Sequence, residues 1–93
     1  MPEQPEAGRL RLSSQIRHRA VGEEGVLVHL ANGRVLVVNE VGLHIVEQLR
    51  APRTRKELAD SIAAAFEVSP EQAVADLETY LAELDAEQVL EHL

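Results

Sequence analysis

The sequence predicts an α+β domain in which a three-stranded antiparallel sheet is followed by three helices. Three observations carry that expectation: an Asn-Gly pair between two β-branched runs, a change of apolar period after Val38, and two helix-capping boxes downstream.

The elements follow in chain order. Gln15 to Ala20 alternates as a half-exposed strand does, and Gly22-Glu23-Glu24-Gly25 reads as the turn after it. Val26–Leu30 and Arg34–Val38 form the next two strands. With Asn32-Gly33 as a two-residue type I′ loop, Leu30 opposes Val35, His29 opposes Leu36, Val28 opposes Val37 and Leu27 opposes Val38. Val26, Val28, Leu30, Val35 and Val37 then share one face. Leu27, His29, Ala31, Arg34, Leu36 and Val38 share the other. Both faces are largely apolar, so one should pack on helices and the other should need further cover.

Asn39 can cap a helix that begins at Glu40, carries Val41, Ile45, Val46 and Leu49 on one stripe, and stops at Ala51-Pro52. Thr54-Arg55-Lys56-Glu57 is a capping box for a second helix, with Leu58, Ile62 and Phe66 on successive turns. Ser69-Pro70-Glu71-Gln72 opens the third and longest helix, Pro70 to Asp85, with Pro at its first position. Its stripe runs through Ala73, Val74, Leu77, Tyr80, Leu81 and Leu84. Val89-Leu90 is either a short strand or an extension of that helix. Residues 1–10 are expected to be a flexible tail and 11–93 the folded domain.

Composition excludes several functions. Hydrophobic residues make up 45% of the chain, yet only Phe66 and Tyr80 are aromatic, which leaves no platform for stacking bases. A net charge of −7 opposes binding to phosphate backbones, so no nucleic-acid partner is expected. The absence of cysteine rules out disulfides and thiolate metal sites. Met1 to Gly8 is polar rather than signal-like, and no stretch approaches the ~20 apolar residues of a membrane span; a cytoplasmic protein without membrane contact is expected.

All nine Lys and Arg residues lie within the first 56 positions, giving that half +3, whereas the remainder holds ten acids and no Lys or Arg. The asymmetry either steers a charged partner or joins two oppositely charged surfaces within the fold. His18, His29, His44 and His92 lack metal-ligand spacing, so neither a metal nor a cofactor is expected. Ser13, Ser14, Ser61 and Ser69 show no nucleophile-elbow motif, and the chain reads as non-catalytic.

One stretch carries a family likeness. Gly25-Val26-Leu27-Val28, then Asn32 to Val38 and Asn39-Glu40-Val41-Gly42, resembles the PqqD-like family, also called RiPP recognition elements, in which a hairpin runs into Leu-Asn-x-x-Gly and an aliphatic helix. Thr54 to Phe66, Val68-Ser69-Pro70-Glu71 and Asp76 to Leu84 extend the likeness, which covers about Ile16 to Leu90. Val38 stands where the family usually has Leu, and Gln88 where it often has Gly before its last apolar pair.

The resemblance implies a winged helix-turn-helix-like domain that binds the leader of a ribosomally made precursor peptide. The leader would add as an antiparallel strand to the edge of the third strand, against the third helix, and be delivered to a modifying enzyme. That enzyme would be a radical SAM enzyme of the type that makes PQQ, or a leader peptidase and cyclase of the lasso-peptide type. Carried onto this sequence, the edge is Arg34, Val35, Leu36, Val37 and Val38. Val74, Leu77 and Leu81 are the expected apolar wall on the helix, and Asp76, Glu78, Glu83 and Asp85 its acidic rim. Such a wall favours aliphatic anchors and basic residues. The edge strand contains no Pro and only one charge, less protection than natural edges usually carry. A homodimer that pairs this edge with itself, or a winged-helix regulator using Arg50, Arg53, Arg55 and Lys56, are the competing readings; the chain is expected to be a monomer or a homodimer.

Overall fold

The structure is a computed structural model that describes residues 8–93. Its elements are β1 (Arg9–Leu12), β2 (Ile16–Val21), β3 (Glu24–His29), β4 (Val35–Val38), α1 (Glu40–Gln48), β5 (Arg53–Thr54), α2 (Arg55–Phe66), α3 (Pro70–Ala86) and β6 (Leu90–His92). The α+β class is the expected one, but there are two antiparallel sheets rather than one: β2-β3-β4, and a smaller β5-β1-β6. Leu10, Leu27, Ile45, Val46, Leu49, Leu58, Ile62, Leu77, Leu81, Leu84 and Val89 join both sheets and all three helices in one core.

The small sheet corrects the sequence reading at the N-terminal end of the domain and, at the C-terminal end, decides for the short strand over a longer helix. Leu10, placed in the tail by the sequence, is 1% exposed, and it pairs with Arg53 on one side and His92 on the other. Residues 1–7 of the expected tail lie outside the described residues. At the other end the chain leaves α3 through Gln88, whose φ of 60° is left-handed, and returns as β6 beside β1. Gln88 thus takes a conformation that Gly adopts most easily. Glu91 accepts from Arg11 Nε at 2.9 Å and from the Ser14 N–H, and these bonds hold its carboxyl below the usual range.

The β3–β4 hairpin forms with a longer loop than predicted. Val28 opposes Val35, Leu27 opposes Leu36, Val26 opposes Val37 and Gly25 opposes Val38, a shift of two residues from the expected register. A type I′ turn needs positive φ at both central residues, and here only Gly33 has it, at 73°. Asn32 instead turns its side chain onto the Arg34 N–H at 2.9 Å, while Gly33 donates to the His29 carbonyl at 2.7 Å. A shift by two residues preserves which side chains share a face. Val26, Val28, Val35 and Val37 therefore remain together on the outer face, as expected, with Val35 and Val37 62% and 66% exposed.

The expected caps are present. Thr54 and Glu57 form a reciprocal capping box, and the Thr54 N–H holds the Glu57 carboxyl below its ordinary range. Ser69 accepts from the Gln72 N–H at 3.1 Å, with Pro70 at the start of α3, but the expected second capping box is not reciprocal, because the Gln72 side chain donates to Asp76 instead. Asn39 caps α1 by accepting from the Gly42 N–H at 3.0 Å.

The Asn-x-x-Gly segment also has a packing reason. A β-carbon on Gly42 would lie 2.8 Å from Val38 Cβ, and one on Gly25 would lie 2.9 Å from Val38 Cγ2 and from Leu43 Cδ1. Val38 is thus seated between two glycines, one on β3 and one on the first turn of α1. Gly42→Ala should lower stability by about 1–3 kcal/mol through this overlap. Helix propensity alone would instead favour Ala by roughly 1 kcal/mol. Urea unfolding gives the sign, and a stabilised variant would show that the Val38 contact yields freely.

Candidate functional site

β4 pairs with β3 on one side and has an open edge on the other. The direction of its backbone groups follows from the register. His29 N–H donates to the Arg34 carbonyl at 2.9 Å. Hydrogen-bonded pairs alternate in an antiparallel ladder, so Leu36 and Val38 turn their N–H and C=O groups toward β3. Val35 and Val37 turn theirs to the open edge.

A groove lies between this edge and α3. Val37, Val38 and Asn39 form one wall, Asp76, Thr79, Tyr80 and Glu83 the other, and the cavity between them holds about 460 Å³. Asp76 and Glu83 stand seven residues apart, two turns of the helix, and so share a face with Thr79 and Tyr80 between them. Gln72 Nε2 donates to Asp76 Oδ1 at 2.7 Å. The charged residues of this lining are all carboxylates.

The residues expected to bind divide into two groups. Val35, Leu36, Val37 and Val38 form the edge strand as predicted, whereas Arg34 precedes it and pairs with Glu87 at 2.9 Å. On α3, Leu77 and Leu81 are buried in the core rather than lining the groove. Val74 lines a separate slot with Arg55, Lys56 and Pro70, and Glu78 pairs with Arg55 at 3.3 Å. Asp85 lies 2.9 Å from His92 Nε2. The rim thus reduces to Asp76 and Glu83, and the residues the sequence reading undervalued are Thr79, Tyr80 and Asn39. Their signal was present as a second helical stripe, 76–79/80–83, beside the more apolar one.

Two other clusters fill structural roles. Arg53 Nε donates to the Gln48 carbonyl, Arg55 pairs with Glu78, and Lys56 pairs with Asp60, so three of the four cations considered for phosphate contact have partners within the chain. His44 Nε2 lies 2.7 Å from Ser61 Oγ, a pairing the sequence reading did not anticipate, and the His44 ring meets Phe66 edge-on at 5.4 Å. Ser61 sits within α2, where the neighbouring N–H groups are spent on the helix itself. It lacks the backbone donors that acyl transfer requires, and the pair serves to tie α1 to α2. Among the described residues, no three His, Cys, Asp or Glu residues are grouped to hold a metal, and no helix is long and apolar enough to cross a membrane.

His29 is the buried polar residue of the core. Its Nδ1 accepts from the Ala31 N–H at 3.3 Å, which leaves the proton on Nε2 for donation to the Gln88 carbonyl at 3.2 Å. Nitrogen-15 NMR should therefore find the Nε2–H tautomer for the neutral ring. A proton on Nδ1 would contradict this arrangement.

Solved structures of known proteins share this fold. The solved structure of TbiB1 in complex with the TbiA(beta) leader peptide superposes with a TM-score of 0.80 at 26% identity, covering 89% of this chain and 96% of that one. Lasso peptide synthetase B1 complexed with its leader peptide gives 0.74 at 20% identity, with 88% and 96% covered. The PqqD truncation of Methylobacterium extorquens PqqCD, a stand-alone RiPP recognition element, gives 0.73 at 22% identity, with 90% and 89% covered. No curated protein sequence matches the chain. The family model for coenzyme PQQ synthesis protein D (PqqD) matches residues 24–90. That match begins at β3 and ends in β6, so it takes in both walls of the groove, and the chain belongs to the PqqD family.

Proposed function

We propose that this domain is a non-catalytic peptide chaperone: it captures the leader of a ribosomally synthesised precursor by β-strand addition along β4 and delivers it to a modifying enzyme. The observation that carries this reading is the pair of outward N–H and C=O sets at Val35 and Val37, beside a groove walled by α3. Membership of the PqqD family supports it, as does the likeness to TbiB1, whose solved structure holds a leader peptide.

Strand addition divides the work between backbone and side chains. Main-chain bonds at Val35 and Val37 attach any extended segment, and the groove selects among sequences. Side chains of the captured strand that turn inward meet Val38 and Tyr80, then Asp76 and Glu83. Residues with an aliphatic stem and a basic head suit that wall, since the stem covers apolar surface while the charge reaches a carboxylate. Ordering a flexible leader costs conformational entropy, so micromolar to submicromolar binding, about −8 to −9 kcal/mol, is expected. The gain for the enzyme, a radical SAM enzyme or a leader peptidase, is a raised local concentration of its substrate.

A synthetic leader from a short precursor encoded beside the gene, titrated by fluorescence anisotropy, tests the reading. Val35→Pro and Val37→Pro each delete one outward N–H and should reduce affinity by at least about tenfold. Asp76→Lys combined with Glu83→Lys should weaken a basic leader while leaving the fold intact. If affinity survives both proline variants, the edge assignment is wrong. A dimer that persists on dilution in sedimentation, with β4 protected from amide exchange, would mean that a second copy occupies the edge.

A further inference from the structure

The interval between β4 and α3 is bridged at one end. Arg34, one residue before β4, and Glu87, which caps the C-terminus of α3, meet in a two-point ion pair: Nε to Oε1 at 2.9 Å and Nη2 to Oε2 at 3.2 Å. Beneath it His29 Nε2 reaches the Gln88 carbonyl at 3.2 Å. The left-handed turn at Gln88 is held by its N–H on the Asp85 carbonyl and by the Val89 N–H on that of Leu84, both at 3.0 Å. Hairpin loop and helix end are therefore joined at the Val35 end of β4. The side-chain cavity lies at the other end, against Val37, Val38 and Asn39.

We infer that Arg34 and Glu87 are positioning residues: their clasp bridges the groove at the start of β4 and so sets the register of a captured strand. The inference rests on β4 being the capture edge. Main-chain pairing alone leaves register open, because a slip of two residues presents the same face and the same donors and acceptors. A side-chain bridge at one end opposes slips toward it while the strand's backbone passes along the edge. An antiparallel strand enters beside Asn39 and leaves past Val35. A slip toward the clasp drives an inward side chain into Arg34 and Glu87, so the one deep anchor must sit opposite Val37–Asn39. The anchor then lies toward the N-terminal end of the captured strand, and the segment to be modified emerges beyond the clasp.

The pair is well exposed, with 63% of the Arg34 side chain and 28% of the Glu87 side chain accessible, so it contributes little to global stability. That separates positioning from a structural role. The probe is a peptide selected on the unaltered protein from a displayed random library, with binding at β4 verified by amide-exchange protection of Val35 and Val37. Arg34→Ala, Glu87→Ala and the exchanged pair Arg34→Glu with Glu87→Arg are compared using a nitroxide at the peptide N-terminus. Each single variant should keep its unfolding midpoint, bind roughly tenfold more weakly, and show a second register displaced by two residues. The exchanged pair should recover one register and the original affinity. One register at unchanged affinity in both single variants overturns the inference, as does unfolding of both or failure of the exchange to restore binding. A library that yields no peptide protecting β4 overturns the capture reading itself, and the inference with it.

Discussion

The site depends on how β4 is fastened where it meets α1. An edge strand bonded on one side only is prone to fray, and a frayed edge would have to be ordered again each time a partner added to it. Here the last residue of the strand, Val38, lies in the gap left by Gly42 on α1 and Gly25 on β3. The next residue, Asn39, caps the helix through the Gly42 N–H. One short segment thus ends the strand, starts the helix and locks both to β3. The outward groups of Val35 and Val37 are presented on a rigid support without a second strand to hold them.

The composition of the groove follows from what the core takes. A small domain has few apolar residues to spare, and α3 commits Leu77, Leu81 and Leu84 to the interior. The face left toward β4 is the mixed one, Asp76, Thr79, Tyr80 and Glu83. A wall of that kind adds selectivity to main-chain pairing rather than a large apolar attraction. The uneven distribution of charge along the chain is used in part within the fold. Arg11–Glu91, Arg34–Glu87 and Arg55–Glu78 each join the cationic first half to the acidic second half. Asp76 and Glu83 lie outside these pairs, facing the groove.

Particular elements show where reading from sequence succeeds. The caps at Asn39, Thr54 and Ser69 were legible because each rests on a side chain and a backbone group three residues apart. The faces of the hairpin were legible from alternation. Its register was not, since the turn geometry was decided by the Asn32 side chain and by His29, which is held through Gln88, 59 residues along the chain. β1 was missed for a similar reason. Arg9-Leu10-Arg11-Leu12 alternates, but its partners at Arg53–Thr54 and Leu90–His92 lie far along the chain.

On α3 the sequence marks an apolar stripe that core packing claims first, and it does not say how much of that stripe lines the groove. Tertiary packing assigned the apolar stripe inward, because burying Leu77 and Leu81 yields more than lining a wet groove with them, and left the polar stripe to the site. The three strands of the larger sheet, the three helices, their order, their caps and their faces were written in local spacing. Pairing across long stretches of chain, the Arg34–Glu87 bridge and the face of α3 that meets the groove were decided only when distant segments met. Those features depend on contacts for which no window of neighbouring residues holds both partners.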